Sequence, residues 1–116
     1  MTVLTQAFSQ PIVYSVTLLT SWQVWTMLNN TVKRNPKGLA MAVKRNDEWV
    51  KWTYAEYLED VKTVAKAFIK LGLKPYHSVN IMGFNAPEWH ISAVAGVVAG
   101  GLTAGIYTRN SGDGTG

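Results

Sequence analysis

His77 and His90 are the two imidazoles of this 116-residue chain, and cysteine is absent. A thiolate nucleophile, a disulfide scaffold and a Cys-ligated zinc site are therefore excluded. Two histidines are too few for a His-rich metal centre. His77 follows Pro75-Tyr76 and reads as a solvated loop residue. His90 lies in the first turns of an expected helix. A general base there needs a partner acid. Glu88 is near in sequence, but its place suits a helix-capping acid better. Ser, Thr, Asp and His are all present, yet none has nucleophile-elbow spacing. The hexamer Ser111–Gly116 is rich in glycine but has no Lys, and its Asp113 would repel a phosphate. It reads as a flexible end. No catalytic, cofactor-binding or metal-binding residue is assigned from these patterns.

Charge is unevenly spread. Residues 1–32 carry none, and ten of the eleven basic residues lie between Lys33 and Lys74 beside five of the seven acids. That mixed middle is a solvated surface rather than a basic stripe, so nucleic acid is not an expected partner. The pairs Lys33-Arg34 and Lys44-Arg45 read as plain surface on turns. Trp22, Trp25, Trp49, Trp52 and Trp89 read as packing residues whose indole N–H groups find local acceptors. Trp89–Thr108 is twenty residues without formal charge. Its Gly96-x-x-x-Gly100 and Gly101-x-x-x-Gly105 spacings would suit helix packing in a membrane. However, Gly100-Gly101 interrupts the run, and a buried α/β helix followed by a buried strand gives the same pattern.

The elements that must position these residues follow from caps and breakers. Residues 1–19 lack a clear period and are expected to be irregular, with a short extended piece near Ile12–Val16. Thr20 and Gln23 make a capping box for a helix that Asn35-Pro36 and Gly38 stop. Leu39–Lys44 and Trp49–Trp52 flank Arg45-Asn46-Asp47-Glu48 as a β-hairpin. Thr53 and Glu56 open an amphipathic helix with Tyr54, Leu58, Val61, Ala65 and Phe68 on its apolar stripe. Gly72 closes it as the residue after the cap. Ser78–Phe84 reads as a buried strand. Asn85 is expected to cap a helix over Ala86–Ala99, with Pro87 in the first turn and Glu88 at the third position. Thr103–Tyr107 reads as a second strand. Residues 109–116 are expected to be a disordered, Gly-rich tail. Helix, strand, helix, strand after a hairpin indicates an α/β class with a parallel sheet.

Taken in order, Trp52-Thr53-Tyr54-Ala55-Glu56-Tyr57, Leu71-Gly72-Leu73, Gly83-Phe84-Asn85, Pro87-Glu88-Trp89 and Ala99-Gly100-Gly101 resemble the N-terminal subdomain of adenylate-forming enzymes. With Gly105-Ile106-Tyr107-Thr108, the phrasing is most similar to bubblegum-type long-chain fatty acyl-CoA synthetases. The likeness covers roughly Trp22 to Asn110. It implies that residues 20–108 are a partial AMP-binding subdomain, incomplete as it stands. It also implies ATP-dependent activation of a fatty acid to acyl-CoA through an acyl-adenylate, with ATP, Mg2+ and CoA as cofactors and fatty acid as substrate. The family's phosphate loop, its metal- and ribose-binding acid and its lid lysine lie beyond the matched stretch. The chain is accordingly expected to be inactive alone. Ser111–Gly116 only echoes the phosphate loop and departs from the family after Asn110-Ser111. Cytoplasmic placement is expected, with peripheral contact at the endoplasmic reticulum or other membranes. The rival reading is a small non-catalytic protein, membrane-associated or partner-binding through Trp89–Thr108 and an open sheet edge. The isolated chain is expected to be marginally stable and aggregation-prone because that edge exposes unpaired backbone groups.

Overall fold

The computed structural model describes residues 2–3 and 11–106, with side chains from residue 21 onward. The expected tail, 109–116, lies outside the described residues. Strand β1 is Thr2–Val3, and helix α1 is Pro11–Arg34. Strands β2 (Leu39–Arg45) and β3 (Glu48–Thr53) form the hairpin. Helix α2 spans Tyr54–Lys70, strand β4 His77–Met82, helix α3 Pro87–Val98 and strand β5 Leu102–Ile106.

Local chemistry sets most of these bounds. Asn46 and Asp47 both have positive φ, 49° and 64°, as a tight two-residue hairpin turn of matching twist requires. Lys44 Nζ holds Asp47 Oδ1 at 3.0 Å across it. At the start of α2 the expected capping box is complete. The Thr53 backbone N–H donates to Glu56 Oε2 at 2.8 Å, and the Glu56 N–H donates to Thr53 Oγ1 at 3.2 Å. Such a cap is worth about 1 kcal/mol. At the end of α2, Gly72 takes φ +99°, which lets the Gly72 N–H reach the Ile69 carbonyl and the Leu73 N–H reach Phe68. The same double bond recurs after α3. There Gly100 has φ +86°, its N–H donates to Val97 O, and the Gly101 N–H donates to Gly96 O. Each turn satisfies carbonyls that the helix leaves unpaired. It also swings the chain directly into the next strand.

Two helix starts are corrected, the strand expected over Ser78–Phe84 runs instead from His77 to Met82 with Phe84 exposed, and Trp22 and Trp49 are exposed rather than packed. Helix α1 begins at Pro11, not at Thr20, so Ile12–Val16 is helical rather than extended and Thr20 lies inside the helix. Proline suits the first helical position, where its missing N–H is not needed. From there to Asn35 the chain has no further breaker, although Val, Ile and Thr blur the helical period. The cap of α3 is Ala86, not Asn85, and no side chain caps it. Pro87 fixes the first helical residue, which leaves the preceding position to Ala86 and moves Glu88 to the second.

Strands β4 and β5 pair in parallel, from Ser78 opposite Leu102 to Met82 opposite Ile106. Strand β1 adds antiparallel to the other edge of β4. The crossover helix α3 lies against the sheet through Gly96, where an added Cβ would come within 2.8 Å of Thr103 Oγ1. Its other side meets α1 and α2 in a core of Leu28, Leu58, Val61, Ala65, Ile91 and Ala95. Being covered on two sides explains why α3 lacks charge along its middle. It also accounts for the lack of charge from Trp89 to Ile106, which holds most of helix α3, a glycine turn and strand β5. No helix among the described residues is long and apolar enough to cross a membrane. The class is α/β, as the order of elements implied.

Candidate functional site

Ligands of open α/β sheets bind beyond the carboxyl ends of the parallel strands. Here that end is formed by the loop from Gly83 to Ala86, the first turns of α3 and the end of β5. The side chains gathered there are Asn85, Trp89 and His90. His90 Nε2 stands 3.1 Å from Asn85 Oδ1, so with its proton on Nε2 the ring donates to the amide oxygen. The Trp89 indole meets the His90 ring edge-on at 5.8 Å between centroids. A cavity of about 130 Å³ is lined by Gly83, Asn85, Trp89 and His90. A second, of about 290 Å³, shares Asn85 and His90 and is closed by Met41, Ala42 and Val43 of the hairpin. Asn85 thus serves as the partner of His90 rather than as the helix cap its sequence position suggested.

The acid expected nearest His90 is used elsewhere. Glu88 Oε1 accepts from Arg45 Nη2 at the end of β2, an ion pair linking residues 43 positions apart. The guanidinium hydrogen bond, helped by Glu88's own N–H, holds that carboxyl below its ordinary range. The pair is exposed to solvent and links the hairpin to the start of α3, and no local sequence signal announces it. His90 therefore has an amide and an indole beside it, not a carboxylate relay. His77 begins β4, at the opposite end of the strand, so the two histidines do not meet. The Trp52 indole donates to Asp60 Oδ2 at 3.0 Å, a local acceptor of the expected kind.

Among the described residues, no group of three or more His, Asp or Glu could hold a metal ion. The cations Lys44, Arg45 and Lys62 are engaged by Asp47, Glu88 and Glu59. The described end of the sheet offers hydrogen-bonding and stacking groups that can position a ligand.

Acid should loosen the pair. Glu56, Glu59 and Glu88 are each held below the ordinary value of 4.5, by Thr53, Lys62 and Arg45 respectively. A carboxyl depressed on folding stabilises the fold fully above its unfolded pKa, and that stabilisation fades as pH falls below it. The thermal midpoint should hold near neutrality and drop progressively below about pH 4.5. Arg45→Gln should remove Glu88's share, giving a lower midpoint at pH 7 and a shallower acid dependence. An unchanged acid slope in that variant would show that the pair contributes nothing.

Residues 28–114 match the AMP-binding enzyme family. The chain is 46% identical over 85 residues to the long-chain-fatty-acid–CoA ligase ACSBG2 of Xenopus laevis, covering 73% of this chain and 12% of that protein. It is 51% identical over 73 residues to the long-chain-fatty-acid–CoA ligase ACSBG1 of Homo sapiens, covering 63% of this chain and 10% of that protein. The chain thus spans about a tenth of the length of these relatives. Its fold is like that of a fatty acid AMP ligase from Legionella pneumophila, with TM-score 0.68 and 15% identity over 75% of this chain and 15% of that one. A Mycobacterium tuberculosis fatty acyl CoA synthetase gives TM-score 0.63 and 22% identity over 74% of this chain and 17% of that one. The caps and glycine stops that carried the resemblance are the same features that build the hairpin, α2, β4 and α3. By that match and the fold it accompanies, the chain belongs to the AMP-binding enzyme family.

Proposed function

We propose that this chain serves long-chain fatty acid–CoA ligation, the ATP-dependent activation of a fatty acid to acyl-CoA through an acyl-adenylate. The observation that carries this reading is the 46–51% identity to long-chain-fatty-acid–CoA ligases, on a fold that superposes on fatty acyl-adenylating enzymes. Fatty acid and CoA are then the substrates of the whole enzyme, with ATP and Mg2+ as cofactors.

The residues described here take a positioning role in that reaction. They build one βαβ unit and present Asn85, Trp89 and His90 at the carboxyl end of its strands. The Arg45–Glu88 pair links the hairpin to that end. Phosphate chemistry needs a cradle of backbone N–H groups with a lysine, and magnesium needs carboxylate oxygens. Neither is built from the described residues, so no chemical step is derived from them.

The purified 116-residue chain should form no acyl-CoA from a long-chain fatty acid, ATP, Mg2+ and CoA. The check is chromatographic detection of acyl-CoA and AMP. Turnover above the uncatalysed rate would overturn the division of labour proposed here.

A further inference from the structure

Strand β5 lies at one edge of its sheet. Its inner side pairs with β4 from Leu102 to Ile106, and β1 covers the far side of β4 at Ser78 and His77. Among the described residues, no strand pairs with the outer side of β5. The backbone N–H and C=O groups on such a side are a template for another strand. Edge strands are ordinarily protected by a charge, a proline or a bulge. Leu102-Thr103-Ala104-Gly105-Ile106 contains no charged residue and no proline. Its pairing with β4 runs without a register shift, so it carries no bulge there either.

The side chains indicate which strand fits. Thr103 faces α3, since its Oγ1 donates to the Ala93 carbonyl at 2.8 Å. By alternation, Leu102, Ala104 and Ile106 lie on the opposite face. Ala104 is half-buried, and Ile106 is 45% exposed. An antiparallel copy of β5 related by a two-fold axis can be centred on Ala104. Ala104 then meets Ala104 of the second copy, Thr103 meets Gly105, and Leu102 meets Ile106. Small residues sit at the axis, large apolar ones pair at the ends, and no like charges are opposed. The exposed Ile106 gains a cross-strand neighbour. We propose that this chain forms a two-fold dimer through the outer side of β5, one continuous sheet across two copies with Ala104 at the axis. A two-fold contact is complete with two copies and does not propagate. Five residues a side make a small interface, so the expected Kd is about 10–100 µM. The dimer stands independently of the ligase reading, because it uses none of Asn85, Trp89 and His90.

The test is sedimentation velocity of the full 116-residue chain from about 1 to about 300 µM. The mass should rise from 12.8 kDa toward twice that value and stop there. Ala104→Lys and Ala104→Glu each set like charges against one another at the axis. Each alone should stay monomeric at the highest concentration, and an equimolar mixture of the two should dimerise again. A merely disrupted fold would not give that rescue. Lys70→Glu, a charge change at an exposed position of α2, should leave dimerisation unchanged. Ala104→Cys is nearly conservative in size, and the chain has no other cysteine. Mild oxidation should link it into a covalent dimer on a non-reducing gel, while Lys70→Cys should stay largely unlinked. This arm decides the question if the charged variants do not fold. Five results would each overturn the proposal: a chain monomeric throughout, growth past the dimer, a folded Ala104→Lys or Ala104→Glu variant that still dimerises alone, folded charged variants that do not recombine, or equal linking at positions 104 and 70.

Discussion

Gly101→Val is expected to abolish the cooperative folding of the chain. A Cβ at this position would stand 2.8 Å from the carbonyl oxygen of His77, 3.2 Å from that of Gly96 and 3.2 Å from Leu73 Cδ2. Two of these three neighbours are backbone atoms. His77 begins β4, and Gly96 O already accepts the Gly101 N–H at 2.9 Å. Relieving the clash means moving a strand or opening the turn that ends α3. Overpacking costs about 1–3 kcal/mol where side chains can yield, and more where backbone must shift. Circular dichroism against urea should show no folded baseline for this variant. Gly72→Ala is the contrast. Nothing lies within 4 Å of its added Cβ, but φ is +99°. It should lose only about 1–2 kcal/mol and still unfold cooperatively. Equal loss in both variants would contradict the close approach as the reason for glycine at 101.

Ile91→Ala should be nearly as damaging by a different route. Ile91 is 7% exposed and packs in the cluster formed with Leu58, Val61, Ala65 and Ala95 between α2 and α3. Emptying such a site costs about 2–5 kcal/mol in lost burial plus cavity. A domain this small has few kilocalories to lose. The expected result is a mostly unfolded chain in dilute buffer, seen as the loss of the folded baseline in urea titration. Ile69→Ala removes the same atoms from a side chain that is 56% exposed. It should shift stability by no more than about 0.5 kcal/mol. A comparable shift from both would mean that the α2–α3 seam is not the core.

What could be read from the sequence is what is decided within a few residues. Thr53 with Glu56, the Asn46-Asp47 turn and the two glycine stops act locally, so their positions were legible and the element order followed. The start of α1 was not, because nothing near Thr20 distinguishes a helix beginning from a helix continuing. Only Pro11, nine residues earlier, marks it. The Asn85 cap failed by one position for a related reason. Proline fixes the register of α3, and the freed amide turns to His90 instead. The Arg45–Glu88 pair was out of reach because its partners are 43 residues apart and meet only once the hairpin has docked. The exposed face of α1 was invisible for the opposite reason. Trp22 reads as a packing residue until the fold leaves it 67% exposed among the described residues.

The most direct test of the ligase reading is a transplant. The segment of the human ACSBG1 ligase that matches this chain would be replaced by this chain's own residues. ATP-dependent acyl-CoA formation from a long-chain fatty acid would then be measured. If the chain is a positioning element of that family, the chimaera should fold and keep its turnover within about tenfold of the parent, a barrier change of about 1.4 kcal/mol. A folded chimaera that forms no acyl-CoA would contradict it, since the transplanted helices, strands and Asn85–Trp89–His90 cluster would then be unable to serve the ligase reaction.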